Sequence, residues 1–466
     1  MSAATDTAAA TATATATLPR PPMPRGRRSQ WQTLRALRRN PLELWGPPAF
    51  EREILESRLL GRRRLLLNSP AAIRHVLLDN AENYIRPPVS RRVLQPILGD
   101  GLLLAEGAAW RHQRRTIAPA FVPRTMPMLA RHIVTATAEA ERDLDAATAG
   151  GAAVVDLYAV LRRLTLNTAG RSMFSLDMDG FGTRLGTMLH RYGERHMGLR
   201  MLDLLLPPTM PSPADIGRRA FRAEWRRFME EIIAARRGAP AGEERDLFDL
   251  LLAARDPETG EGFDEDQLRD EVSTLILAGF DTTAVALFWS CYLAARFPEQ
   301  QERIAAEAAG ADLSPEGAGA ALEGLHAARA HLMETMRLYP PAFQFLRQAE
   351  GADRLPGGVP VGRGDVVSIV PWVLHRHRLL WAEPERYDPA RFLPGAPAPD
   401  RFAYLPFGGG PRICVGMRLA LAEGTLVLAR LLRRYRLEFG GDPAVVPLGR
   451  VTIQPDRPVP FRLVPR

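Results

Sequence analysis

Apolar residues recur every three to four positions over most of this chain. That spacing predicts helices at Met126–Ala147, Val154–Met173, Phe181–Met197, Pro213–Arg237 and Leu247–Ala254, joined by short loops. The longest such pattern runs from Asp264 to Phe297 and is ended by Pro298; at about 1.5 Å per residue it would cross the whole molecule. A further amphipathic helix is expected over Gly416–Tyr435, and Ser69-Pro70 supplies an N-cap and a first-turn proline for one ending near Asp79. Ile54–Leu59 and Arg63–Leu67, divided by Gly61, read as a strand pair. Val359–Pro371 alternates enough to be sheet, and Leu437–Arg466 reads as strands around the turn Pro455-Asp456-Arg457-Pro458. Arg86–Leu104 is punctuated by proline and glycine and reads as an irregular loop. The chain starts with Ala/Thr repeats followed by Pro19, Pro21, Pro22 and Pro24, so residues 1–28 are expected to be a disordered tail. Residues 29–466 then form a single domain, mostly α with a small β region, without internal repeats.

Composition narrows the chemistry. Of the 466 residues, 61 are Lys or Arg, and every one of them is arginine. With no lysine there is no pyridoxal aldimine, no P-loop lysine and no amine nucleophile. The formal charge of +8 goes with an arginine-rich solvated surface and a bias towards Ala, Gly and Pro, which argues for no nucleic-acid partner. Two cysteines, Cys291 and Cys414, cannot make a disulfide framework or hold a four-cysteine iron–sulfur cluster. No uninterrupted run of eighteen apolar residues occurs, so no membrane span is expected, and a cytoplasmic monomer is the expectation.

Four stretches carry candidate chemistry. Pro406-Phe407-Gly408-Gly409-Gly410-Pro411-Arg412-Ile413-Cys414-Val415-Gly416 sets a cysteine where a glycine-rich loop turns into a helix, with Arg412 two residues before it. A helix N-terminus, an arginine or a metal would each favour the thiolate, the form that ligates iron. Within the longest helical pattern lies Ala278-Gly279-Phe280-Asp281-Thr282-Thr283, where Ala278 and Gly279 are small and Thr282 can bond a carbonyl one turn back or a bound molecule. Glu334 and Arg337 are three apart before the stop Pro340-Pro341, and Trp110 and Arg114 share a helix face. Each stretch also has a plain structural reading, as a turn, two helix threonines, a surface ion pair, and a core tryptophan beside a surface arginine. Cys291 reads as a small buried hydrophobe, His112 as a packing or solvent-facing residue, and His375 and His377 lack a third metal ligand nearby.

Phe407, Gly410, Arg412, Cys414 and Gly416 match, at the same gaps, the haem-binding loop of the cytochrome P450 family, and the other stretches follow that family's order. The resemblance covers the chain from about Asn40 onward. It implies haem b held between the long helix, on the distal side, and the Cys414 loop and following helix, on the proximal side. It implies Cys414 as the iron ligand, with Phe407, Gly408, Arg412 and Gly416 shaping the loop. It makes Trp110, Arg114 and Arg347 contacts of the haem propionates, Ala278 and Gly279 its small neighbours, and Asp281 and Thr282 an acid–alcohol pair for oxygen activation. Glu334, Arg337 and a second arginine, Arg391 rather than Arg386, would have a folding role. The activity implied is insertion of one oxygen atom of O2 into an apolar molecule (lipid-, terpene- or aromatic-like). Electrons would come from a ferredoxin or flavodoxin and its NAD(P)H reductase, docking near Arg412 and Arg418. A peroxygenase or isomerase of the same haem-thiolate kind, and a non-enzymatic haem sensor, are the alternatives.

Overall fold

The computed structural model describes residues 18–24, 26, 28–175, 181–196, 203, 210–238 and 246–466. In chain order the helices are α1 (Gln30–Arg39), α2 (Pro70–Arg74), α3 (Pro88–Leu98), α4 (Gly107–Ile117), α5 (Met126–Thr148), α6 (Leu157–Phe174), α7 (Gly182–Arg195), α8 (Pro213–Arg237), α9 (Leu247–Ala253), α10 (Glu265–Arg296), α11 (Pro298–Ala309), α12 (Ala318–Ala321), α13 (His326–Leu338), α14 (Pro371–Leu374) and α15 (Met417–Arg434). The strands are β1 (Ile54–Leu59), β2 (Arg62–Leu67), β3 (Tyr84–Ile85), β4 (Ala153–Asp156), β5 (Phe345–Ala349), β6 (Asp353–Arg354), β7 (Pro360–Val361), β8 (Val366–Ile369), β9 (Tyr435–Phe439), β10 (Pro447–Gly449), β11 (Ile453–Pro455) and β12 (Pro460–Pro465).

Local chemistry fixes many of these boundaries. Asp264 and Gln267 form a reciprocal capping box that starts α10, Ser212 and Asp215 do the same for α8, and Ser29 and Gln32 for α1. The strands gather into a five-stranded sheet of order β1-β2-β8-β5-β3, a three-stranded sheet of order β4-β12-β9, and the pairs β10-β11 and β6-β7. Among the described strands only β2 and β8 run parallel, with Leu66 opposite Ser368.

α10 is the axis of the packing. In its first half Leu268, Val272, Ile276 and Phe280 are buried in a cluster that also draws on α3, α4, α7, α8 and α9. Its second half, Val285 to Ala294, is buried in another with α5, α6, α13 and α15. Asp281 and Thr282 fall at the junction of the two. In length and composition α10 would suffice to cross a membrane, with mean hydropathy 1.5 over its most apolar window, yet 67% of that window is buried within the fold. The expectation of no such segment counted only uninterrupted apolar residues, and the occasional Thr, Asp or Ser broke the count.

The structure departs from the sequence reading in four further places. Arg86–Leu104 contains helix α3, because Pro88 occupies the first turn, where its missing N–H costs nothing, and Pro96 lies in the last. Val154 begins no helix: residues 153–156 pair with β12, and α6 starts at Leu157. Pro298 ends α10 and also opens α11, which the sequence reading passed over. Residues 18–24, expected in the disordered tail, lie on the body, where Leu18 packs against the core and the Tyr339 hydroxyl donates to Pro19 O at 3.0 Å. The apolar run Met201–Pro208 lies outside the described residues except Asp203.

Candidate haem site

The cysteine loop is shaped by glycines that nothing else could replace. Gly408 and Gly410 have φ of 72° and 69°, and a Cβ at Gly410 would lie 1.8 Å from the carbonyl oxygen of Leu77. The turn Gly410–Arg412 closes with Ile413 N–H on Gly410 O, and Cys414 N–H then donates to Phe407 O at 2.9 Å. Cys414 has an accessible surface although protein crowds around its thiol, so that surface faces an internal cleft. Burial pushes the thiol up, against the Gly416 N–H and the Arg114 guanidinium, which pull it down. The backbone donor and the guanidinium thus act in the direction expected of a loop that favours thiolate, though the arginine is Arg114 and burial opposes them.

The middle of α10 belongs to the apolar cluster that the cysteine's neighbours join. Val415 and Leu419, flanking the cysteine, pack against the cluster that holds Ile276 and Phe280. On a helix buried along most of its length, Ala278 and Gly279 are exposed, and a Cβ built at Gly279 meets nothing within 4 Å. The helix continues unbroken through this stretch, and the glycine leaves room on its face. The Thr282 hydroxyl donates to Ala278 O at 2.6 Å, and Asp281 Oδ2 accepts the Thr452 hydroxyl at 2.7 Å.

Near the cysteine loop two arginines share one carboxylate, and a third lies close enough to feel their charge. Arg86 donates to Glu106 Oε1 at 3.1 Å, Arg412 bonds Glu106 Oε2 and the Ala105 carbonyl, and Arg347 bonds only its neighbour Leu346 O among the described residues. The Arg412 guanidinium lies over the Trp110 ring at 4.4 Å, so Trp110 supports that arginine. Burial, followed by repulsion from Arg86 and Arg412, pushes Arg347 down to about 9. Arginine holds its proton in proteins, so this push measures unmet positive charge and does not make a neutral side chain. An accessible thiol, a bare stretch on an otherwise buried helix and surplus buried arginine are together the donor set that fits a flat iron cofactor with two carboxylates.

Comparison with known proteins agrees. The family model for cytochrome P450 matches residues 50–458. Cyclooctat-9-en-7-ol 5-monooxygenase of Streptomyces melanosporofaciens is 31% identical, over 86% of each chain. Carotene epsilon-monooxygenase of Arabidopsis thaliana is 28% identical, over 82% of this chain and 74% of its own. The chain belongs to the cytochrome P450 family. A crystal structure of the cytochrome P450DA haem domain superposes with TM-score 0.79 at 23% identity, covering 97% of this chain and 99% of that one, which shows the shared fold. Membership makes haem b the cofactor and places this P450 among oxidoreductases of the monooxygenase type.

The remaining sequence candidates of this P450 lie behind the cleft. Glu334 and Arg337 are both fully buried and joined at 2.7 and 2.8 Å, while Arg391 approaches Glu334 at 3.9 Å. Arg386 contributes its carbonyl to Arg337 and turns its side chain to Glu383. His112 contacts Asp256 at 3.0 Å, and His375 Nε2 accepts the Leu405 N–H at 2.8 Å. Cys291 is buried among apolar side chains, which push its thiol up to about 12. Arg412 faces the cleft, which removes it from the outer surface where partner docking was expected and leaves Arg418 exposed there. Arg86, Glu106 and Thr452 were not singled out from the sequence. Their partners lie up to 306 positions away, and no local pattern announces them.

Proposed function

We propose that this P450 inserts one oxygen atom of O2 into an apolar molecule, lipid-, terpene- or aromatic-like, with electrons from a separate acidic redox protein. The observation that carries the reading is the combination of an accessible Cys414, a bare Ala278–Gly279 face and unmet buried positive charge. Haem supplies the redox-active iron and, with it, the activation of dioxygen. Cys414 ligates the iron, while Phe407, Gly408 and Gly416 fix the loop that presents it. Arg114, Arg347 and Arg412 hold the propionates, with Trp110 beneath Arg412 and Glu106 keeping Arg86 and Arg412 in place. Thr282, its own proton engaged on Ala278 O, offers a lone pair to a hydrogen-bond donor in the cleft. Asp281 moves protons towards it. Glu334, Arg337 and Arg391 hold the fold. Two relatives are named for oxygenation of cyclooctat-9-en-7-ol and of carotene, which supports an apolar substrate. Exposed Arg418, beside the cysteine loop, supports docking of a ferredoxin or flavodoxin there.

The test is spectroscopic. Haem-loaded protein, reduced under carbon monoxide, is expected to show the red-shifted Soret band of thiolate ligation, and Cys414→His to lose it while remaining folded. Persistence of that band in the variant overturns the assignment. A screen of apolar compounds for Soret shifts then identifies the substrate class.

A further inference from the structure

Asp281 is held from outside its own helix. Its Oδ2 accepts the hydroxyl of Thr452, which sits between β10 and β11 and is 1% exposed. That hairpin tip is tied down on two sides: the Trp289 indole N–H donates to Ile453 O at 2.7 Å, and Asn40 accepts from Gly449 N–H and donates to Pro447 O, both at 2.9 Å. The Gln454 amide approaches the Thr452 oxygen at 3.4 Å as a donor, so the hydroxyl proton is left to face Asp281. No hydrogen bond reaches Oδ1 among the described residues. From the other side, α6 brings Tyr158, whose buried hydroxyl has no partner among the described residues, and Arg162, whose guanidinium lies 5.8 Å from the Tyr158 ring and 5.5 Å from that of Phe280. The Tyr158 phenol is pushed up by burial first and then by the Asp281 charge.

From this geometry we infer that Thr452 is a positioning residue for Asp281: it fixes one carboxylate oxygen and leaves Oδ1 to take up and release protons. The inference rests on the reading of Asp281 as the proton-moving acid. A hydroxyl suits the task because it donates to the ionised carboxylate and can turn to accept from the protonated one. Valine has the same shape and does neither. The hairpin thereby joins the orientation of the acid to a part of the chain that is remote in sequence.

The experiment uses haem-loaded protein and follows the Asp281 carboxyl band by infrared difference spectroscopy against Asp281→Asn, over a pH series. Loss of a hydrogen bond to a charged group is expected to raise the midpoint in Thr452→Val by about one pH unit, and Thr452→Ser to restore it. Peroxide released per NAD(P)H consumed with a surrogate ferredoxin and reductase should shift its pH dependence in the same direction. A Thr452→Val protein that matches the wild type in both readouts overturns the inference. If the valine variant fails to bind haem, Thr452→Ala is measured in its place with the same two criteria. Asp281→Asn separates the underlying reading: unchanged peroxide release and pH dependence there remove Asp281 from proton delivery. A changed Asp281→Asn beside a wild-type-like Thr452→Val removes only Thr452.

Discussion

Two groups of buried arginine in this P450 differ in how their charge is met. Arg337 spends all five of its N–H donors, two on Glu334 and three on the carbonyls of His375, Pro384 and Arg386. Arg86, Arg347 and Arg412 have Glu106 as their one carboxylate among the described residues, and Arg347 bonds a single neighbouring carbonyl. The first arrangement is closed and holds the chain together. The second has donors and charge to spare, and spare buried charge marks where ligand oxygens belong. An arginine's donor inventory thus separates a folding role from a binding role where burial alone does not.

The largest expected effect comes from opening the closed group. Glu334→Ala strands a buried guanidinium and is expected to cost about 3–5 kcal/mol, a large share of a domain's stability. Urea unfolding of the haem-free protein should show a lost or severely shifted transition; a shift under about 1 kcal/mol would erase the distinction between the groups.

Relieving the open group should act with opposite signs on fold and ligand. Arg347→Gln removes surplus charge, so the haem-free protein is expected to be as stable as the wild type or more so. Haem retention, followed by transfer to a scavenging apoprotein, should fall by about 10-fold or more for the loss of a charge-assisted contact. Parallel losses in both measurements would place Arg347 with Arg337.

Acid should attack the closed group first. Burial pushes His331, on the helix of Glu334, down to about 4, and His375, whose carbonyl serves Arg337, down to about 3. Both are neutral when folded and titrate near 6.5 when unfolded, so the unfolded state binds more protons below that value. Stability is therefore lost as pH falls from about 6.5 to 4, at about 1.4 kcal/mol per pH unit for each histidine. His331→Gln is expected to reduce the slope of urea midpoint against pH by one proton, and an unchanged slope would show that His331 is not part of it.

The smallest effect is expected at the single carboxylate of the open group. Glu106→Gln leaves three arginines unopposed, which should destabilise the haem-free protein by about 1 kcal/mol while slowing haem loss. Faster haem loss would mean that Glu106 matters for placing the arginines more than for their charge.

What the sequence made legible follows the reach of each contact. The cysteine loop could be read because its determinants are neighbours: Gly408 and Gly410 carry the positive φ that the turn needs, within six residues of Cys414. The ends of α10 could be read from Asp264 and Phe297 for the same reason. Arg391 was picked over Arg386 on motif spacing, and the structure sets it beside Glu334. Contacts across long sequence distances were not readable. β4 exists because of its pairing with β12, Glu106 bonds an arginine 306 positions on, and Thr452 reaches back 171 positions to Asp281. Proline misled twice, at Pro88 and Pro298, because a residue that stops one helix is equally suited to begin another.

The burial of α10 also constrains how the protein is made. This helix is apolar enough for a bilayer, and the segments that cover its second half include α13 and α15, which are synthesised after it. From the moment Arg296 emerges from the ribosome until Arg434 follows, the second half of α10 lacks that part of its final covering. At ordinary rates of translation that interval is on the order of ten seconds, far longer than hydrophobic collapse takes. The helix at the centre of the finished enzyme is thus an apolar segment left partly uncovered during synthesis, and slowing synthesis between Phe297 and Arg434 should lower the yield of soluble protein more than an equal delay after Arg434.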